Sequence, residues 1–173
     1  MLLLKTLSMV DEVVPVKMHH ELDAPPWRRF ESTLMATSKL IRRAYDLRLA
    51  EFGLNLSEAC LLAFVIERGP LSQTQVAERI GMGRAPAGII IDSLSERSLL
   101  RREPDSSDRR VWLLSATPEG LEIGKKISAV EHMLRAELRE GLVREEREQL
   151  AGTLLRLQEN LAEILDGESS TTA

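Results

Sequence analysis

Very little chain separates two helical stretches in the middle of this sequence. One helix is predicted from Ser72 to the "RIG" at 79–81 and the next from about Gly83 to Arg97, with only "GMGR" as the turn. Ser72 and Gln75 have the spacing of a capping box, in which each side chain satisfies a backbone N–H of the first turn. Pro86 falls in the first turn of the second helix, where a missing N–H costs little. In that helix Ala87, Ile90, Ile91 and Leu94 recur at i, i+3, i+4, i+7, the spacing of a single buried stripe. Arg84, Ala85, Pro86, Gly88 and Ile89 are left facing outward. A short helix, a glycine turn and an amphipathic helix make a helix-turn-helix.

The chain on either side extends this frame. Phe30, Leu34, Ile41, Tyr45, Leu49 and Phe52 predict a long helix from Trp27 to Phe52, ended by Gly53. A second helix is expected from a Ser57 N-cap to Arg68. After the helix-turn-helix, "LLRRE" and "RRVWLL" are strand candidates joined by "PDSSD", a run of turn formers. The pair predicts a β-hairpin. Thr117 caps the next helix, with Pro118 at its first position. That helix runs to about Glu140 on a stripe of Leu121, Ile127, Val130, Leu134 and Leu138, and Gly141 breaks it. A last helix covers Arg144 to Leu165, with Leu150, Leu154, Leu157, Leu161 and Ile164 as a coiled-coil-like seam. "GESSTTA" reads as a frayed tail.

Composition narrows the functional classes. Hydrophobic residues make up 43% and aromatics 3%, so the core must be aliphatic. No apolar run is long enough for a membrane span, and "MLLLKTLSMV" is too short for a signal peptide. A cytoplasmic protein with no membrane partner is the expectation. The lone Cys60 cannot form an intramolecular disulfide; lying between apolar neighbours, it is expected to be a buried thiol. The net charge of −4 is uneven: seven arginines face five acids between Arg79 and Trp112. No metal site is expected, because His19 and His20 lie in an N-terminal arm and His132 stands alone on a helix. No nucleophile elbow or phosphate loop is present, and "GMGRAP" lacks the surrounding βαβ unit of a dinucleotide site. Neither catalysis nor a cofactor is expected.

The segment 56–120 resembles the MarR family of winged helix-turn-helix transcription regulators. The resemblance lies in "GPLSQ", the "D-x-L-x-x-R" of Asp92 to Arg97, the "LLRR" strand, the wing "D-x-x-D-x-R" of Asp105 to Arg110, and "T-x-E-G" from Thr117. With its flanking helices it covers residues 27–166. It implies a mainly α fold: a winged helix-turn-helix with a two-stranded wing, between long helices that intertwine with a second copy. The implied organisation is an arm over 1–26, with Met9 and Met18 as alternative starts. Dimerisation helices cover 27–55 and 117–166, the DNA-binding domain 56–116 and a tail 167–173. The implied partners are double-stranded DNA, a second copy and a small effector, with repression of a pseudo-palindromic operator.

Residue by residue, the family places an arginine such as Arg110 in the minor groove, oriented by Asp108. Arg109 and Arg101 are candidates for phosphate contact, with Arg102 the alternative to Arg101 on an alternating strand. Ser72, Gln73 and Thr74 open a helix whose N-terminus suits a phosphate. Arg84, Ala85, Pro86, Gly88 and Ile89 form the reading face, and only Arg84 carries hydrogen-bond donors. Ser98 stands where the family usually has glycine. For the effector, Tyr45, Arg48, Cys60, Phe64 and Trp112 are candidate pocket residues, suited to an aromatic or lipophilic carboxylate or its thioester. The alternative function is a winged-helix protein-interaction module, which would have little use for the Asp108, Arg109, Arg110 cluster.

Overall fold

A computed structural model describes residue 25 and residues 29–171, with side chains placed as far as residue 166. The rest of the N-terminal arm, His19 and His20 among it, lies outside the described residues, as does Trp27. The helices are α1 (Phe30–Leu49), α2 (Leu56–Arg68), α3 (Gln73–Arg79), α4 (Arg84–Glu96), α5 (Pro118–Leu138) and α6 (Arg144–Thr171). A 3-10 turn, Ala50–Phe52, closes α1. The strands are β1 (Leu71–Ser72), β2 (Leu100–Pro104) and β3 (Trp112–Ala116). The fold is mainly helical with a winged helix-turn-helix at its centre, as the sequence implies. No single helix among the described residues is long and apolar enough to cross a membrane.

The chain divides into two units, Met1–Arg43 and Ala44–Ala173. In the first, the N-terminal part of α1 leaves Phe30, Met35 and Leu40 exposed. The second holds the core. Leu61, Leu62 and Val65 of α2, Val76 of α3, Ile91 and Leu94 of α4, Leu100, Leu114 and Ile127 meet there fully or nearly buried. Each such aliphatic side chain contributes about 1.5–3 kcal/mol by leaving water. Aromatic residues stay at its margin, where Tyr45, Phe52 and Phe64 are partly buried.

Several local expectations need correction. The N-cap of α2 is Asn55, not Ser57: its side chain accepts from the Glu58 N–H, and Glu58 Oε2 accepts from the Asn55 N–H at 3.0 Å. Asp46 adds to that cap, accepting from the Leu56 N–H at 2.7 Å. The sheet has three strands in the order β1-β3-β2, because Leu71 and Ser72 pair with Leu114 and Leu113. β3 begins only at Trp112, so Arg109 and Arg110 sit in the turn before it. On α5, Leu121 and Leu138 are exposed, and the buried residues are Gly120, Ile127, Val130 and Leu134. α6 continues to Thr171, beyond the expected end at Leu165, because a single Gly167 does not outweigh continuing i→i+4 bonding. None of its placed side chains is buried, and Leu150, Leu155, Leu161, Ile164 and Leu165 are open to solvent.

The junctions around the wing are tight. Thr117 caps α5 through the Gly120 N–H at 3.0 Å, and its hydroxyl donates to the Ser98 carbonyl at 2.6 Å. Gly120 is there because a Cβ would stand 2.1 Å from the Leu99 carbonyl oxygen. Ser98 keeps the turn that glycine usually makes by taking φ +57°. That left-handed conformation costs a residue with a Cβ roughly 1–2 kcal/mol. Ser98→Gly is therefore expected to raise stability by about 0.5–1 kcal/mol once glycine's extra unfolded-state entropy is subtracted. Gly120→Ala is expected to lower it by at least about 2 kcal/mol through overpacking against backbone. Thermal melts of the two variants check both signs, and a lower melting temperature for Ser98→Gly would contradict the strain assignment.

Candidate nucleic-acid interface

The helix-turn-helix is held by contacts invisible to helical periodicity. Ser72 and Gln75 form the expected capping box, so the Ser72 hydroxyl is occupied by the Gln75 N–H at 3.3 Å. Gln73 lies over α4: a Cβ on Gly88 would meet its Nε2 at 3.0 Å. Gly88 thus faces Gln73 as a close packing point between the two helices. Thr74 is partly buried beside it. Ala87, Ile91 and Leu94 of the expected stripe are buried and Ile90 is partly so. Arg84, Ala85, Pro86 and Ile89 are exposed.

The far end of α4 is tied to the elbow between α1 and α2. Arg97 donates from Nη1 to the Gly53 carbonyl and from Nη2 to the Phe52 carbonyl, both at 2.8 Å. These carbonyls lie at the C-terminal end of a helical turn, where a cation is favoured. Ser93 donates to Glu58 Oε1 at 3.0 Å, so the carboxylate that caps α2 also holds α4. α5 grips the same elbow. Lys126 Nζ stands 5.5 Å from the Phe52 ring centroid, and Arg48 pairs with Glu137 at 2.9 Å. Arg97, Ser93 and Glu58 were missed as site residues. Only the final arginine of "D-x-L-x-x-R" hinted at them.

The arginines divide into two groups. On β2, Arg102 reaches Asp92 of α4 at 2.5 Å, joining wing strand to helix, and Arg101 pairs with Glu103 at 3.3 Å. Arg84, Arg109 and Arg110 are exposed and have no ion pair among the described residues. Asp108 does not hold the Arg110 guanidinium. Its carboxylate accepts the Arg110 backbone N–H at 3.0 Å, and its carbonyl accepts the Val111 N–H at 2.9 Å. The aspartate shapes the turn and leaves the guanidinium available.

Asp105 organises the wing tip. Its Oδ1 accepts the Ser107 hydroxyl and the Ser107 N–H, both at 2.6 Å, and the Asp108 N–H at 3.3 Å. The Asp105 N–H closes the loop on the Val111 carbonyl at 2.8 Å.

None of the expected effector residues lines the concavity that lies between α2 and α5. Cys60 is exposed, because Ala59, Leu62 and Val65 form the buried face of α2 and residue 60 falls off it. Trp112 is 55% exposed on β3 and Arg48 is engaged by Glu137. Tyr45 and Phe64 pack against the core. That concavity, of about 630 Å³, is walled by Ala63, Ile66, Leu121, Gly124, Lys125 and Ile127 among others. Gly124 in its wall lets Ile66 approach α5; a Cβ there would stand 2.5 Å from Ile66 Cδ1. His132 is exposed, and no cluster of metal-ligating side chains occurs among the described residues.

A helix-turn-helix, a three-stranded wing and this junction to α5 together match known proteins. The MarR family model matches residues 52–111. Those residues are therefore similar to the MarR family. Its members are transcription regulators, not enzymes. The chain is similar to the transcriptional regulator SlyA, at 25% identity over 75% of this chain and 94% of that one, with a TM-score of 0.67. It is also similar to CouR from Rhodococcus jostii, solved with p-coumaroyl-CoA, at 26% identity over 73% and 90%, TM-score 0.66. MepR of S. aureus, solved with DNA, shares the fold at 17% identity over 76% and 97%, TM-score 0.71.

The wing tip carries a pH signature. The Ser107 hydroxyl bond, then the Ser107 backbone bond, hold the Asp105 carboxyl below its ordinary value of 3.8. A carboxyl depressed by folding stabilises the loop while ionised. That contribution is present above the unfolded value and is lost as pH falls through the lowered folded value. In an NMR titration the Asp105 carboxyl is expected to titrate below 3.8, and Ser107→Ala to move it back up; an unchanged midpoint in the variant would refute the assignment.

Proposed function

We propose that the protein is a homodimeric, effector-responsive repressor that binds a pseudo-palindromic operator in the cytoplasm. The observation that carries this reading is the set of three unpaired, exposed arginines, Arg84 on α4 and Arg109 and Arg110 on the wing, beside a solvent-facing α4 surface. Guanidinium groups without internal partners suit phosphates and the electronegative minor groove. Arg110 enters the minor groove, Arg109 meets phosphate, and Arg84 reads a guanine edge or a phosphate. Ala85, Pro86 and Ile89 line the major-groove face. Gln73 and Thr74 approach the backbone at the start of α3. Ser72, Gly88, Arg101 and Asp108 support the interface through a cap, a helix contact, an ion pair and a turn. The exposed leucines of α6, and separately the exposed Met35 and Leu40 of α1, supply apolar surface for a second copy. In MepR a related fold is solved with DNA.

The effector reading moves from the five expected residues to the concavity between α2 and α5. Its walls are mostly apolar, and Lys125 at the rim is paired with Glu122 at 2.5 Å, a carboxylate that an anionic ligand group would displace. An aromatic or lipophilic carboxylate, or its thioester, fits this chemistry, and CouR is solved with such a thioester. Binding shifts the dimer toward a state whose recognition helices no longer match successive grooves. DNA affinity then falls by the coupling free energy.

Arg110→Ala is expected to weaken operator binding at least tenfold, cost of order 1.4 kcal/mol, while leaving the melting temperature unchanged. It should also reduce the log–log salt slope by about one unit if the contact releases a counterion. Unchanged affinity in a mobility-shift titration would remove the wing from the interface. An aromatic acyl thioester titrated into the complex is expected to release DNA, and Leu121→Glu in the concavity to abolish release without abolishing DNA binding. Equal release from both proteins would place the effector elsewhere.

A further inference from the structure

The exposed surface of α4 is unusual for a reading helix in what it lacks. Ala85 and Pro86 stand four and three residues before Ile89, the spacing at which helix side chains are neighbours, and all three are exposed. Ile89 is 72% exposed, the highest value among the large hydrophobic side chains of the described residues. It packs against nothing in the core, unlike its neighbours Ile90 and Ile91. Further along α4, Asp92 is already neutralised by Arg102, and Glu96 is exposed and would repel a phosphate. Contact with a polyanion is thereby directed to the N-terminal half of the helix, where Arg84 stands beside the apolar patch.

We infer that Ile89, with Ala85 and Pro86 beside it, is a specificity-determining surface for the C5-methyl groups of thymine. The inference rests on the regulator reading above and names what that surface recognises. An isoleucine side chain has no hydrogen bond to give. Among the base edges of the major groove, the thymine methyl is the apolar feature it can match. Guanine, adenine and cytosine edges would leave donors or acceptors stripped of water against the Ile89 methyls, which costs binding energy. The charge fits the same ligand: Arg84, next to the patch on α4, and Arg109 and Arg110 on the wing have no ion pair among the described residues. The helix therefore discriminates by shape and methyl contact, with a single donor-bearing residue, Arg84, at its edge.

The test is a cycle between a protein side chain and a DNA methyl. The full chain is used to enrich duplexes from a random-sequence pool, and the enriched operator is resynthesised with uracil replacing each thymine in turn. Wild-type protein is expected to lose about fourfold in affinity at each half-site thymine that Ile89 touches, the value of one buried methyl at roughly 0.8 kcal/mol. Ile89→Ala, whose melting temperature should match wild type because the side chain is exposed, is expected to bind the thymine operator more weakly and to be indifferent to uracil at the same positions. Wild-type protein that binds thymine and uracil operators equally overturns the inference and leaves the regulator reading standing. An Ile89→Ala variant that keeps the full uracil penalty assigns the methyl contact to another residue and overturns it too. If no sequence is enriched, the regulator reading fails and this inference with it.

Discussion

The placement of α4 depends on one guanidinium. Arg97 spans the carbonyls of Phe52 and Gly53 with separate nitrogens, closing the end of α4 onto the elbow between α1 and α2. The elbow has little freedom to yield, because Gly53 takes φ +65° and an added Cβ would stand 3.3 Å from Arg97 Nη2. Glu58 strengthens the same joint from below by capping α2 and holding Ser93 at once. Lys126 and Arg48 bring α5 to the same few residues. A rotation of α5 therefore acts on the carbonyls that position α4. The joint gives a mechanical route from α5 to the exposed face of α4, built from contacts with two discrete alternatives, made or broken.

Arginine serves two opposite purposes within about thirty residues. Arg97, Arg101 and Arg102 spend their donors inside the protein, on carbonyls and carboxylates. Arg84, Arg109 and Arg110 spend none there. Composition and charge counts treat all six alike, which is why the net charge says so little about the interface. The distinction comes from where the chain folds back: Arg102 opposes Leu114 in the β2–β3 register and so leans toward Asp92, whereas Arg109 and Arg110 fall on a turn that has no facing strand.

Local rules made much of the architecture legible. The aliphatic stripe of α4, the Ser72–Gln75 capping box, the Thr117–Pro118 start and the Gly53 stop all follow from side-chain periodicity and backbone sterics over a few residues. What was illegible depends on partners far away in sequence. β1 is two residues long and exists only because β3 has a free edge beside it. Asn55 outcompetes Ser57 as a cap because Glu58 reciprocates and Asp46 arrives from α1. Cys60 looked buried because its neighbours in sequence are apolar, yet helical phase turns it outward. Gly88 belongs to the outward face of α4 by helical period, but Gln73 from α3 packs over it. The effector quintet is dispersed for the same reason. Tyr45 and Phe64 are absorbed by the core and Arg48 by Glu137, while the wall of the concavity includes Gly124, a residue without a side chain to notice.

The wing tip closes on itself. Asp105 gathers the backbone and hydroxyl of Ser107 and the backbone of Asp108, and Asp108 in turn fixes Arg110 and Val111, all without a core residue. Such a loop is nearly uncoupled from global stability. Substitutions at Ser106, Arg109 or Arg110 can alter what the tip presents to solvent while the scaffold keeps its folding free energy. The scaffold is thus free to be copied and re-specified by drift at its tip, whereas change at Arg97 or Gly120 would be filtered first by folding.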